Sequence, residues 1–396
     1  MINKKIYYYL FPLLLGVFTS FSLPPYNFIF LNFLTFPLLL LFLIEAQKEK
    51  SLWIYFIIGW LFGIGYFISN IYWIVFSLTF EDIFKPLIPF ALLIIPSFLG
   101  LFYGLTTLIL SRFKLKKNFS TILIFSLVFS IVEFIRGFIL GGFPWNLIVY
   151  SWTNYINSLQ ILSAIGTYSF NLISVTIFLI PILIWFKKKI ITKIFFIIVI
   201  LFILFLNNFY GSNKIKNDGK LFTNLENFNV KIISPKISID RFFQENNEND
   251  IINELVTLSN PDKSKSTIFI FPEGTLAGID LEYLYNFREL FSKKFSDKHI
   301  IIIGINTVQD EKIYNSMVVL DYKLNLLNNY KKTKLVPFGE FLPLENFLKK
   351  IGFKKVTQGY QSFSAGNNRE IISIKKNNFN FIPLICYEII YSGKIF

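Results

Sequence analysis

The chain has 396 residues, 54% hydrophobic and 19% aromatic, with 16% charged against about 25% in an ordinary soluble domain, which excludes a disordered or fibrous protein and argues against a wholly soluble one. One Cys excludes an internal disulfide framework and a Cys-rich zinc site, and one His, His299, removes most other metal constellations. The net charge of +14 suggests nucleic acid only if the basic residues are gathered for it, so their placement decides.

Through Ser212 the chain carries 14 Lys/Arg and 5 Asp/Glu; from Asn213 onward it carries 25 and 20. The first part is almost uncharged between a few clusters. Its apolar runs are long enough, at about 1.5 Å per residue, to cross a hydrocarbon core about 30 Å thick. Seven are read: Tyr7–Phe21, Asn27–Ile44, Leu52–Phe80, Leu87–Leu110, Ser120–Leu140, Ser158–Phe186 and Ile190–Asn207. The first, behind Lys4 and Lys5, is laid out like a signal peptide, but no small-residue cleavage site follows and it reads as a retained helix. Lys4/Lys5, Lys48/Lys50, Arg112/Lys114/Lys116/Lys117 and Lys187/Lys188/Lys189/Lys193 occupy alternate loops. By the positive-inside rule the N-terminus is cytoplasmic, and seven crossings would leave the second half outside the membrane. Much of the positive charge is thereby an orientation signal, and no basic-aromatic groove motif calls for nucleic acid.

Three features within the spans need an account. Glu133 and Arg136 are three apart on one helix, close enough to pair. Such a pair inside a membrane faces either a polar cavity or the bundle interior, as a functional or a purely structural ion pair. Gly141-Gly142-Phe143-Pro144-Trp145-Asn146 breaks the helix where the chain emerges, and its plainest reading is an interfacial turn with a Trp anchor. Gly59, Gly63 and Gly65 suit close helix packing.

Beyond Phe209, short strands alternate with polar, Asn- and Lys-rich segments. Strands are expected at Phe228–Ser234, Thr267–Pro272, His299–Asn306, Tyr314–Asp321 and Phe379–Cys386, and helices at Asn247–Ser259 and Leu281–Phe295. Strands alternating with helices argue for an α/β layer fold. Two strands end beside reactive groups: Phe-Pro-Glu-Gly places Glu273 after the second, and Pro383-Leu-Ile-Cys-Tyr-Glu places Cys386 after the last. Between them, Tyr330-Lys-Lys-Thr-Lys-Leu-Val-Pro-Phe-Gly-Glu carries Lys332, Lys334 and Glu340. A thiol attacks a carbonyl as the thiolate; a carboxylate can take its proton, and an ammonium can stabilise both thiolate and oxyanion. With His299 alone and at a strand start, a Cys–Glu–Lys set fits better than Cys–His. Singly, each residue has a blander reading: Cys386 as a small core residue, Glu273 as an exposed turn carboxylate, the lysines as solvated charges.

The Glu, Tyr-x-Lys-x-x-Leu and Cys-Tyr-Glu pattern resembles the nitrilase superfamily. The string Leu335-Val-Pro-Phe-Gly-Glu-Phe-Leu-Pro343 after several spans, with Glu133-Phe-Ile-Arg136-Gly137 and Gly142-Phe-Pro-Trp-Asn in the membrane half, resembles the apolipoprotein N-acyltransferases within it. The resemblance implies a polytopic helical membrane domain, residues 1–212, followed by an extracytoplasmic nitrilase-like αββα catalytic domain, residues 213–396. It implies a phospholipid acyl donor, a thioester on Cys386, and transfer to the α-amino group of a diacylglyceryl-cysteine at a lipoprotein N-terminus. By resemblance Glu273 is the general base, Lys332 rather than Lys334 the oxyanion-stabilising lysine, and Glu340 a supporting carboxylate. Tyr387, Glu388 and Trp145 match residues beside the nucleophile or the substrate. Neither cofactor nor metal is implied, and the implied location is the inner membrane with the catalytic domain on the periplasmic side.

Two departures stand out. Ser234-Pro-Lys-Ile-Ser-Ile-Asp240 offers no Trp where the family often has one, and the chain stops at Phe396, ten residues after Cys386. Family members continue through the rest of the sheet and a final membrane helix, so the expectation is a catalytic domain incomplete at its C-terminal end, with an apolar sheet edge exposed. Two alternatives stay open at this point: a membrane-tethered nitrilase-like amidase, in which water resolves the thioester, and an inactive truncated remnant. A transporter fits less well, because no pair of broken helices repeats.

Overall fold

The computed structural model describes residues 4–79, 82–187, 189–221, 228–235, 248–276, 279–342, 362–375 and 379–393. The chain divides into two compact units, Met1–Phe222 and Thr223–Phe396.

The first unit is helical. Its helices are α1 (Lys4–Ser20), α2 (Asn32–Ala46), α3 (Leu52–Ile71), α4 (Ile88–Leu110), α5 (Phe119–Arg136), the short α6 (Ile156–Leu159) and α7 (Leu162–Ile165), α8 (Thr167–Phe178) and α9 (Ile190–Leu221). Among the described residues, six helical stretches are long and apolar enough to cross a membrane: Ile29–Glu49, Leu52–Thr79, Asp82–Leu110, Phe119–Arg136, Thr167–Trp185 and Ile190–Asp218. The first apolar run of the sequence forms α1, whose apolar part Tyr7–Ser20 reaches only about 21 Å at 1.5 Å per residue. The run expected over Ser158–Phe186 is divided. Gly166, at φ 78°, separates α7 from α8, so only the part from Thr167 is long enough to span.

Interdigitated aromatics fill this unit. Phe36 meets Phe62, Phe125, Phe129 and Phe178, and Tyr103 stacks on Phe129 with centroids 5.0 Å apart. The helices approach closely where glycines face each other, as the sequence anticipated: a Cβ on Gly63 of α3 would come within 2.6 Å of Gly100 Cα on α4. Backbones this near leave no room for side chains, and dispersion replaces the hydrophobic drive that lipid does not supply. By contrast, α9 stacks Phe196 on Phe119 and exposes Ile191, Ile198, Leu201, Phe202 and Phe205, a broad apolar surface suited to lipid.

The second unit is an α/β layer. Strands β1 (Asn229–Ile232), β2 (Thr267–Phe271), β3 (His299–Gln309), β4 (Lys312–Asp321) and β5 (Leu326–Lys331) form one sheet in the order 1-2-3-4-5. Pairs β1–β2 and β2–β3 are parallel; β3–β4 and β4–β5 are antiparallel. Helices α10 (Glu248–Ser259), α11 (Leu281–Leu284) and α12 (Arg288–Lys294) accompany it. Leu255, Phe291 and Phe295 bury against Phe269, Ile301 and Ile303 on one face. The helix expected over Leu281–Phe295 is two pieces joined by a 3-10 turn at Tyr285–Phe287.

The hairpin between β3 and β4 turns on Asp310 and Glu311, at φ 50° and 61°, the left-handed pair that a two-residue turn matched to strand twist requires. It sets a register in which Asn315 lies opposite Asn306. Strands β6 (Ile372–Ile374) and β7 (Phe379–Phe381) form a separate antiparallel pair. The strand expected over Phe379–Cys386 therefore stops at Phe381. Pro383 follows, without an N–H for a ladder, and Cys386 begins a 3-10 turn, Cys386–Ile390. Residues 236–240 of Ser234–Asp240, and Pro343 of the Leu335–Pro343 string, lie outside the described residues.

Candidate active site

The site of the second unit gathers near the Cys386 turn, where β2 and β5 end and the antiparallel β4 begins. Glu273 follows β2 after Pro272, and its backbone lies directly against β3. A Cβ on Gly304 would come within 2.8 Å of Glu273 Cα, so only glycine lets the two segments approach. Lys332 follows β5, and its N–H donates to the Asn315 carbonyl on β4 at 2.9 Å.

The side chains converge on one polar cluster. Lys332 Nζ lies 2.9 Å from Glu340 Oε1 and 3.4 Å from Glu273 Oε1. Asn315 Nδ2 donates to Glu273 Oε1 at 2.6 Å and to Glu340 Oε1 at 2.7 Å. Glu340 is fixed from behind by the Val336 N–H, 2.8 Å from its Oε2. Lys332 is 1% exposed, Glu340 13% and Glu273 34%, so the ammonium forms the floor and Glu273 faces the opening. Burial alone would favour a neutral lysine; the Glu273 and Glu340 carboxylates outweigh it and hold the Lys332 pKa above its ordinary value. The lysine is a fixed cation.

Cys386 is exposed and sits at φ 49°, a left-handed conformation that costs a non-glycine residue about 1–2 kcal/mol. Partial desolvation of its sulfur by the surrounding groups, with the Glu273 charge, pushes the thiol up, and the Lys332 ammonium and the Tyr387 N–H offset this only in part. That direction favours the thiol over the thiolate, and a thiol would need a base to take its proton before it could attack a carbonyl.

Glu388 ties the turn to the lysine loop. Its Oε1 accepts from the Thr333 N–H at 2.8 Å, the Thr333 hydroxyl at 2.8 Å and the Lys334 N–H at 3.1 Å. Its Oε2 accepts from the Ile385 N–H at 2.9 Å. The Tyr330 hydroxyl donates to the same carboxylate at 2.8 Å, and Arg369 Nη2 lies 3.1 Å from it. Burial pushes the Glu388 carboxyl up, but the Ile385 N–H and the Tyr330 and Thr333 donors outweigh burial and hold it below its ordinary value. Tyr330 shifts up through burial above all, with the Glu388 charge adding. Tyr387 is buried and meets the Tyr391 ring edge-on at 5.2 Å.

Of the residues singled out from sequence, Glu273, Lys332 and Glu340 are in direct contact, Cys386 lies in their electrostatic field, and Glu388 holds the backbone next to both Cys386 and Lys332, through the N–H groups of Ile385 and Thr333. Lys334 contributes its N–H to Glu388 rather than its ammonium to the cluster. Trp145 belongs to the first unit, with its ring 5.3 Å from that of Trp73. There the Glu133–Arg136 pair is fully buried. Arg136 Nη1 donates to the Phe143 and Trp145 carbonyls at 2.6 and 2.9 Å. Glu133 accepts from Tyr103 at 2.8 Å and Asn171 at 2.5 Å. That pair faces the bundle interior and holds the Gly142–Asn146 segment. His299 is buried at the start of β3, Nδ1 accepting from the Ser296 N–H and Nε2 donating to the Asp262 carbonyl, away from the cluster. Sequence reasoning missed Asn315 and Arg369; neither sits in a recognisable string, and for Asn315 the sole signal is its place beyond the hairpin.

Comparison with known proteins covers both units. A family model described as "Apolipoprotein N-acyltransferase N-terminal domain" matches residues 15–180, and one described as "Carbon-nitrogen hydrolase" matches residues 255–395. The apolipoprotein N-acyltransferase of Rhizobium etli is 30% identical over 403 residues, 96% of this chain and 74% of that protein. That of Brucella melitensis is 28% identical over 399 residues, again 96% and 74%. That of Rhizobium rhizogenes is 29% identical over 408 residues, 98% and 75%. A crystal structure of an N-terminal amidase with an Asn-Glu-Ala peptide covers 39% of this chain and 37% of its own at 18% identity, with a TM-score of 0.22, too low to carry an argument. The apolar spans, the carbon-nitrogen hydrolase unit and relatives matched along nearly the whole chain agree: the chain belongs to the apolipoprotein N-acyltransferase family of multi-pass membrane acyltransferases.

Proposed function

We propose that the chain transfers a fatty acyl group from a phospholipid to the α-amino group of diacylglyceryl-cysteine in a lipoprotein, through a thioester on Cys386. Glu273 takes the proton from the Cys386 thiol as sulfur attacks the ester carbonyl. The tetrahedral oxyanion forms beside the Lys332 ammonium. The C–O bond of the ester breaks, and the proton held by Glu273 passes to the departing lysophospholipid oxygen. In the second half-reaction the acceptor amine attacks the thioester carbonyl, Glu273 takes its proton, and the C–S bond breaks. The proton that Glu273 took from the amine passes to the departing sulfur, which restores the free thiol and the Glu273 carboxylate. The observation that carries this reading is the buried Lys332 ammonium held between the Glu273 and Glu340 carboxylates, within the electrostatic reach of the Cys386 sulfur.

Glu340, Tyr387 and Glu388 support the reacting groups, and Trp145 serves a substrate-facing role in the membrane domain. That domain is taken as residues 1–212 and the catalytic domain as 213–396. The alternating basic clusters support an inner-membrane protein with a cytoplasmic N-terminus, α1 counted as a crossing and the catalytic domain periplasmic. The test is direct. Purified protein given a phospholipid with a labelled acyl chain forms a hydroxylamine-sensitive bond at Cys386. Equal label on a Cys386→Ala variant would sink the assignment.

A further inference from the structure

Asn315 belongs to none of the motifs that the sequence offers, and no step above uses it, yet its amide sits at the centre of the polar cluster. The two carboxylate oxygens Glu273 Oε1 and Glu340 Oε1 share the same two partners, Asn315 Nδ2 and Lys332 Nζ. Asn315 spends both amide hydrogens on them, at 2.6 and 2.7 Å, which is the whole donor capacity of its side chain. Lys332 has three hydrogens. One meets Glu340 at 2.9 Å, and the approach to Glu273 is long at 3.4 Å. Because the amide already satisfies Glu273, the ammonium need not close on it. The Asn315 backbone adds to this, since its carbonyl accepts the Lys332 N–H.

The geometry points to Asn315 as a positioning residue of the acyl-transfer site: by giving one neutral donor to each carboxylate it holds them side by side and keeps Lys332 from being drawn wholly into bridging them. The ammonium then stays available to the Cys386 sulfur and the developing oxyanion. A neutral donor is essential here, because a third carboxylate would leave one cation facing three anions, and an apolar residue would leave both oxygens to Lys332 alone. This inference rests on the roles proposed above for Glu273 and Lys332.

The charged groups that act on the thiol are Glu273, Lys332 and Glu340, with Glu388, Tyr330 and Arg369 behind the turn. Cys386 is the single cysteine of the chain, so alkylation by a small neutral haloacetamide reads this one site in the full-length protein in detergent. Asn315→Leu and Asn315→Asp are compared with the unaltered chain for the pH midpoint of alkylation and for the rate of thioester formation from labelled phospholipid. In the Leu variant the midpoint rises by about one unit, as expected when an ion-pairing partner is drawn away. Thioester formation slows about 10- to 100-fold while the apparent KM for phospholipid stays within about threefold. The Asp variant shifts further in the same direction. An unchanged midpoint in both variants overturns the inference even if turnover falls, because a merely structural residue would slow the enzyme without moving the thiol. Should the Leu variant aggregate, the Asp variant, equal in size, carries the test. Full thioester formation by Glu273→Gln would instead defeat the proposed mechanism, a result separable from any shift caused at Asn315.

Discussion

Replacing Glu388 by Ala removes a carboxylate that joins the Cys386 turn to the Lys332 loop. The side chain is fully buried, and its loss takes the acceptor from the N–H groups of Ile385, Thr333 and Lys334 and from the hydroxyls of Tyr330 and Thr333, and removes the carboxylate that faces the Arg369 guanidinium. A buried donor left unsatisfied costs about 1–3 kcal/mol, and removing one partner of a buried ion pair about 3–5 kcal/mol. Water entering the vacated space recovers part of that sum, so the expected loss is about 4 kcal/mol; Glu388→Gln, which keeps an acceptor oxygen, should lose about half as much. Pulse proteolysis of the detergent-solubilised full chain across a urea series, scored on fragments from residues 223–396, gives the change. The pH dependence follows from the direction of the shift. The folded carboxyl lies below its ordinary value of 4.5, so the carboxylate's contribution is fully present above about pH 4.5 and fades as pH falls through the folded value. Acidification from pH 6 to pH 4 should therefore lower the urea midpoint of the unaltered chain more than that of Glu388→Gln. An Ala variant with an unchanged midpoint and normal Cys386 labelling would refute the clamp.

Gly304→Ala drives a methyl into the Glu273 backbone; thioester formation should fall at least tenfold while far-UV circular dichroism is unchanged, because the displaced atom belongs to the proposed base and not to the core. Arg136→Met leaves Glu133 buried without its cation and should destabilise the first unit by about 3–5 kcal/mol. The double change Glu133→Gln/Arg136→Met should be milder than Arg136→Met alone, and the order of thermal aggregation midpoints in detergent decides.

What the sequence revealed depended on how locally each feature is written. Near-uninterrupted apolar stretches such as Ile190–Asn207 announce a span by composition alone, whereas the division of Ser158–Phe186 turns on one glycine, Gly166, whose backbone angle a hydrophobic count ignores. Strand β5 escaped notice because Leu326-Leu-Asn-Asn-Tyr-Lys lacks β-branched residues and presents its first residues outward. The strand drawn through to Cys386 overlooked Pro383, which the ladder cannot accommodate. Glu273, Lys332 and Glu340 were legible because each stands in a distinctive string. Asn315 was not, in an Asn-rich chain where only the register of a hairpin brings its amide to the carboxylates. Glu388 could be flagged as a neighbour of the sulfur, but its hold on Thr333 and Lys334, more than fifty residues earlier, is written only in three dimensions.

The backbone angle of Cys386 sets selection at this position against the fold. At φ 49° a glycine would relax the turn that a thiol-bearing residue strains, so the residue most favourable to folding there is one that cannot react. On the role proposed for it, the cysteine persists only while its chemistry is under selection. In a lineage freed of the need for acyl transfer, folding would reward its replacement by glycine or asparagine, and the site would lose the proposed nucleophile before its scaffold decayed.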